Sequence, residues 1–394
     1  MKTSTLFTLT SAITLLVYPV FAQTPETVAD EIVANANADN IDLSVLDFLD
    51  DALEEITTTY EAAPPVRRNV GRLAARQAAT IVDVHTHVVP SWYQALVPVT
   101  GGNPTPTWDI NSYLSFMASQ GVARSVFSFS APGPNVFQGS KGLTIALARL
   151  INEQAAAYCR ANPSKLNFYA VVPLPYTQEA IIEAKYALDQ LGAVGIILTS
   201  NVEGLYLGNA QFKPFFDAIN KRSGRQILYI HPSAPYVKVN NQLIEANPTS
   251  YATGNIEFFF ETARVLMDLT LTHTIHDFTN IHYVIPHVGG AFPATIDRVL
   301  KTVPAIYDSS LNIYKTRFWW DSAGPTYLHQ VSGLLGFGIP KSQLLFGTDF
   351  PYAPSFTQAG SLAAVQNSPL LTAAEKTALF TTNPRTLFGS KINW

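Results

Sequence analysis

The chain has 394 residues, 47% of them hydrophobic and 14% charged, with a formal net charge of −4. That is enough apolar material for one large core, and the weak negative charge excludes the basic patch of a nucleic-acid binder. The single cysteine, Cys159, excludes an intrachain disulfide and a cysteine-based zinc site.

The first predicted element is a cleavable secretory signal over residues 1–22. Lys2 supplies the positive start, an apolar stretch runs from Leu6 to Val20, and Val20-Phe21-Ala22 ends it with a small residue. The stretch is short and carries Thr8, Thr10, Ser11 and Thr14, whereas a membrane anchor needs roughly 20 apolar residues. The expectation is a secreted or secretory-lumen protein without a stable membrane anchor. Every Asn-x-Ser/Thr sequence is blocked by proline, as in Asn162-Pro163-Ser164, so N-glycosylation is not expected.

Residues 23–79 read as an acidic N-terminal extension or pro-segment. Eleven acids lie between Glu26 and Glu61, and the first bases are Arg67 and Arg68. Leu46, Leu49, Leu53 and Ile56 recur at helical spacing, which predicts a short amphipathic helix, and Pro64-Pro65 breaks the chain after it. The segment either packs on the following domain or is cut after Arg67-Arg68. Without residues 1–68, 22 basic and 18 acidic side chains remain, a balance of about +4 that mildly favours an anionic substrate.

From residue 80 short β-branched and aromatic runs alternate with helical stretches. The strands are predicted at 81–84, 124–129, 167–172, 194–198, 226–230, 281–285, 318–320 and 344–346, with helices between them, for example at 179–191 and 215–221. Alternation of this kind implies parallel βαβ units, and eight of them in one domain predict an α/β fold of the (β/α)8 TIM-barrel type over residues 80–394.

The chemistry-bearing residues fall at the C-terminal ends of these strands, where such barrels carry their active sites. His85 and His87 follow the first strand as His-Thr-His, and residues two apart in an extended chain point the same way. His231 ends the fifth strand, His287 the sixth and Asp349 the eighth. Imidazoles with a carboxylate suit a divalent transition metal, with zinc the first expectation and manganese the second, held by His85, His87, His231 and Asp349. Asp349 also suits a helix N-cap, and Asp321 reads equally as a cap or as a catalytic partner. His273, His276, His282 and His329 lie away from strand ends and read as structural.

Four segments resemble the amidohydrolase-2 family, which includes aminocarboxymuconate-semialdehyde, γ-resorcylate and fungal 6-methylsalicylate decarboxylases. They are Val82-Asp83-Val84-His85-Thr86-His87, His231-Pro232, Pro286-His287-Val288-Gly289-Gly290-Ala291-Phe292-Pro293 and Gly347-Thr348-Asp349-Phe350-Pro351. The resemblance spans roughly residues 80–390 and implies the same four metal ligands. It further implies that His287 is the acid/base residue, that Asp321 supports the site, and that Arg298 binds a substrate carboxylate across a homodimer interface. A signal peptide departs from the cytosolic relatives. The implied reaction is non-oxidative decarboxylation of a small aromatic carboxylic acid such as 6-methylsalicylate, with metal-dependent hydrolysis of a lactone or amide as the alternative. The proton donor is Asp349 or His287. Trp92 and Phe292, with Tyr93, Trp319 and Trp320, either wall a flat substrate or pack in the core.

Overall fold

The computed structural model describes residues 27–62, 81–324, 328–353 and 355–394, without the side chains of 355–359. The expected signal, the Pro64-Pro65 break and the Arg67-Arg68 pair lie outside these residues. Eight parallel strands form the barrel: β1 Ile81–Asp83, β2 Val122–Phe129, β3 Leu166–Ala170, β4 Gly195–Thr199, β5 Gln226–His231, β6 Ile281–Ile285, β7 Phe318–Asp321 and β8 Leu344–Leu345. They pair in sequence order, β1 to β8. The ring closes through backbone bonds between its first and last members: Val84 N–H donates to Phe346 O at 2.9 Å, Asp349 to His85 O at 2.9 Å and His87 to Phe350 O at 2.7 Å. Closure therefore lays the His85-Thr86-His87 segment directly against Asp349.

Buried strands on both faces explain the nearly unbroken apolar runs. In β7, period-2 alternation sends Phe318 and Trp320 toward Phe292 and Tyr314 of the outer helices, and Asp321 toward His85 inside. The interior beneath the site is filled by Tyr169 and Tyr229, whose rings lie 5.0 Å apart. The other end of the barrel is covered by the C-terminal residues: Arg225 donates to Leu387 O at 3.0 Å, and Phe388 packs 6.2 Å from Tyr169. No helix among the described residues is long and apolar enough to cross a membrane.

Two helices, Val28–Ala38 and Leu49–Glu61, precede the barrel, and the second includes three of the four positions whose spacing predicted it. The first packs on the second, and the second on the helix Lys141–Ala161, which is buried on nearly every side because barrel and N-terminal arm each cover one face of it. Beyond β5, the antiparallel hairpin of Tyr236–Val239 and Gln242–Glu245 rises at the barrel mouth. Its turn places Asn240 and Asn241 at φ of 49° and 62°, left-handed values that asparagine tolerates better than most residues.

Candidate metal centre and active site

The rings of His85, His87 and His231 are each oriented by a partner on Nδ1. His85 Nδ1 donates to Asp321 Oδ2 at 3.0 Å, and His231 Nδ1 donates to the Pro232 carbonyl at 2.7 Å. A carboxylate and a carbonyl can only accept, so both rings carry a proton on Nδ1, which leaves Nε2 as the nitrogen that can turn to a metal. His87 Nδ1 meets Ser128 Oγ at 3.1 Å. One ring nitrogen from each of His85, His87 and His231 lies within 4.8 Å of the others, and all three residues are buried.

Asp349 joins this triad to His287. Its Oδ1 lies 3.4 Å from His85 Nε2 and 3.3 Å from His87 Nε2, and its Oδ2 lies 3.9 Å from His287 Nε2. Burial alone would raise the Asp349 carboxyl, but His287, His85 and His87 outweigh it and hold it well below the usual range. For His85 the balance runs the other way: burial opposes charge, yet Asp321 and Asp349 push the imidazole up to about 10. Burial keeps His87 and His231 below the ordinary histidine value. His85 Nε2 is buried without a hydrogen-bond partner among the described residues. The ring nitrogens of His85, His87 and His231 form one close group, and those of His85 and His287 with an Asp349 oxygen form a second that overlaps it; such imidazoles and a carboxylate fit a divalent metal such as zinc or manganese.

Asp321 is neither exposed nor a helix cap. Besides His85, it accepts the backbone N–H groups of His287 at 3.1 Å and Ala323 at 3.0 Å through Oδ1, so one carboxylate locks the His85 ring and positions the loop bearing His287. Asp349 likewise lies in a loop ahead of the helix Ser355–Gln366 and does not cap it.

The structure brings together His85, His87, His231, His287, Asp321 and Asp349. Three sequence expectations fall elsewhere. Trp92 is buried against Phe48 and donates to Gln154 at 3.3 Å, and Phe292 is buried between Trp320 and Tyr314, so both are packing residues and neither walls a substrate. The reason is geometric: each sits on a helix whose apolar face turns inward to the sheet. Arg298 is exposed on the helix Phe292–Leu300, whose Ile296 and Leu300 face the core. His276 meets Ser310 Oγ at 3.3 Å and His282 takes a bond from Trp319 Nε1 at 3.3 Å, both away from the cluster.

Three contributors went unread in the sequence. Asp83 accepts from Thr348 Oγ1 at 2.6 Å and from His85 N at 3.1 Å, tying the segment that bears His85 to the one that bears Asp349, and burial pushes it up to about 7. Ser128 orients His87. Tyr352 packs its ring 5.4 Å from that of His87 and bonds Ser130 Oγ. Only spacing hinted at them: Asp83 stands two residues before His85, and Tyr352 three after Asp349.

The chain belongs to the amidohydrolase family, whose profile matches residues 82–390. It is similar to the decarboxylase yanB of Aspergillus niger, 32% identical over 70% of this chain and 78% of that protein. It is also similar to a 6-methylsalicylic acid decarboxylase of Penicillium expansum, 30% identical over 69% and 85%. Among solved structures, an amidohydrolase II superposes with a TM-score of 0.71 at 27% identity, covering 78% of this chain and 99% of that one. The fold is shared as well with 5-carboxyvanillate decarboxylase of Novosphingobium aromaticivorans, complexed with manganese and a nitrobenzoic acid, at a TM-score of 0.66 and 16% identity over 78% and 96%.

Proposed function

We propose that this protein is a metal-dependent, non-oxidative decarboxylase that converts a hydroxybenzoate of the 6-methylsalicylate type to a phenol and CO2. The observation that carries this reading is the Asp349 carboxylate, which faces two ligand histidines through one oxygen and His287 through the other. One carboxylate thereby links a substrate-holding centre to a proton carrier, within a chain whose relatives bear decarboxylase names.

A divalent ion held by His85, His87, His231 and Asp349 supplies, when bound, a Lewis acid that grips the substrate carboxylate and its neighbouring hydroxyl. Zinc is our first choice for three imidazoles and a carboxylate, and manganese, which suits the same set, the second. The chemical difficulty is charge on the ring carbon as CO2 leaves, and protonating that carbon first avoids it. His287 Nε2 carries that proton, with Asp349 Oδ2 as its partner 3.9 Å away. Phe259 stacks on the His287 ring at 5.3 Å and restrains its swing. Asp321 keeps His85 in the tautomer that binds and holds the His287 backbone in place.

The same reading makes the enzyme a homodimer, in which Arg298 reaches a partner's site and grips a carboxylate with its planar fork. It is secreted, with a mature start near Gln23, as the Val20-Phe21-Ala22 boundary implies. The deciding experiment incubates metal-loaded protein with 6-methylsalicylate and other 2-hydroxybenzoates and follows CO2 and the phenol. No release from any of them sinks the reading. Metal analysis of the purified protein decides between zinc and manganese, and sequencing the N-terminus of secreted protein checks the start.

A further inference from the structure

Beside the metal cluster, the barrel mouth holds a second compartment of about 350 Å³. It adjoins the site at two points. Phe258 on its wall lies 6.2 Å, ring to ring, from His231, and Thr100 bonds the Tyr352 hydroxyl that packs over His87. Among the described residues, none of His85, His87, His231, His287 and Asp349 lines it. About 150 Å³ already accommodates a benzene ring, so even a ring lying wholly in this compartment would leave more than half of it free, far more than a methyl group fills.

The walls say what fits. Val97, Val99, Val136, Val202, Ala234 and Phe258 supply an apolar side, Asn135, Gln138, Asn201 and Ser233 a polar, uncharged one, and among the described residues no lysine or arginine lines the compartment. Its only charged members are Glu203 and Glu245, which accept from Gly139 N–H and Thr253 Oγ1. A second carboxylate would meet repulsion and no counter-charge, whereas an uncharged apolar group would be sheltered. At its outer edge Val99 is 57% exposed, and the hairpin contributes Tyr236 and Glu245, a directly opposed pair on one face.

Resting on the decarboxylase reading, we infer that the substrate is an aromatic acid bearing an extended apolar substituent, an alkyl chain of several carbons, which lies in this compartment while the carboxylate faces the metal cluster.

The test measures dissociation constants of metal-loaded protein for salicylates bearing methyl, propyl, pentyl and heptyl groups, one series substituted at ring carbon 6 and one at carbon 4, by the intrinsic fluorescence of the salicylate. Each methylene that enters the compartment should tighten binding roughly threefold to fourfold in at least one series. Val136→Asp should flatten this dependence. Val99→Asp, at an exposed position that tolerates substitution, should flatten it as well and guards against a misfolded first variant. Affinity that is level or falls from methyl to pentyl in both series overturns the inference, as does an undiminished chain-length effect in both variants. Turnover of 6-methylsalicylate is followed in parallel. A chain-length effect without any decarboxylation removes the proposed reaction and leaves the compartment standing; decarboxylation without a chain-length effect does the reverse.

Discussion

At the scale of single residues, the site is marked by backbone held in a costly conformation. His287, Val288 and Asp349 have φ of 52°, 53° and 61°, a left-handed region that costs a non-glycine residue on the order of 1 kcal/mol or more. The surrounding bonds hold these positions: His287 N–H is fixed on Asp321 Oδ1 and Asp349 N–H on the His85 carbonyl. Such strain aims His287 and Asp349 at one another, and it gives them separable roles. His287→Ala should retain its metal and lose turnover by about two to four orders of magnitude, the usual weight of an acid/base group; metal content and kcat measured together check this, and wild-type kcat in a loaded variant would make His287 structural. Asp321→Asn acts through His85 instead. It leaves all four proposed ligands in place, but its single oxygen stays on the His287 and Ala323 N–H groups and its NH2 donor then faces His85 Nδ1, which favours the wrong tautomer, so metal affinity should weaken about 10- to 100-fold, read by competition with a chelator. His-x-His and the strand-end acids were legible because a ligand must be one of few residue types. Ser128 and Tyr352 were not, because a serine or tyrosine beside a metal site looks like any other until the fold sets it against a ring.

At the scale of elements, the N-terminal arm is built into the barrel by a buried polar seam. Arg149, fully buried on the helix Lys141–Ala161, pairs with Asp39 of the arm at 2.7 Å and with Glu183 at 2.9 Å. Phe48 stacks on Trp92, and Glu55 accepts from the Tyr158 hydroxyl at 2.7 Å. Cleavage after Arg67-Arg68 with loss of the arm would strand the Arg149 charge against Glu183 alone and uncover Trp92, which favours a permanent extension over a discarded pro-segment. Glu153 lies in the same seam, bonded by Tyr186, and burial pushes it from 4.5 up to about 7. The folded state therefore binds a proton that the unfolded chain releases between those values. Stability should fall as pH rises from about 4.5 to about 7, by roughly 3 kcal/mol once the window is crossed. Glu153→Gln keeps an acceptor for Tyr186 without the charge, so its Tm should exceed that of the wild type at pH 8 and match it near pH 4.5. Equal Tm differences at both pH values would show that Glu153 does not titrate in this window.

At the scale of the whole molecule, the remaining question is whether one chain makes a complete site. Arg298 stands exposed on an outer helix, so its proposed role requires a second copy. Arg298→Ala should raise KM while leaving metal content intact. Mixing it with His287→Ala chains should restore up to about a quarter of wild-type activity, because half the dimers are hybrids and each holds one complete site. No recovery under conditions where subunits demonstrably exchange would confine Arg298 to its own chain or to the surface.

The amino-acid sequence by itself determined the barrel and the side on which its chemistry lies. Alternating apolar runs and helical stretches are local patterns, and a polar residue ending a strand is visible wherever the strand is. The eight predicted strands match the eight observed to within a few residues for that reason. Tertiary structure alone decided what each side chain faces. Trp92 and Phe292 stand close in sequence to the metal-binding motifs, yet their helices turn them into packing, since burial of a large ring depends on neighbours that arrive from distant segments. The pairing of Asp321 with His85, 236 residues apart, exists only because the barrel closes and brings its seventh strand within reach of its first.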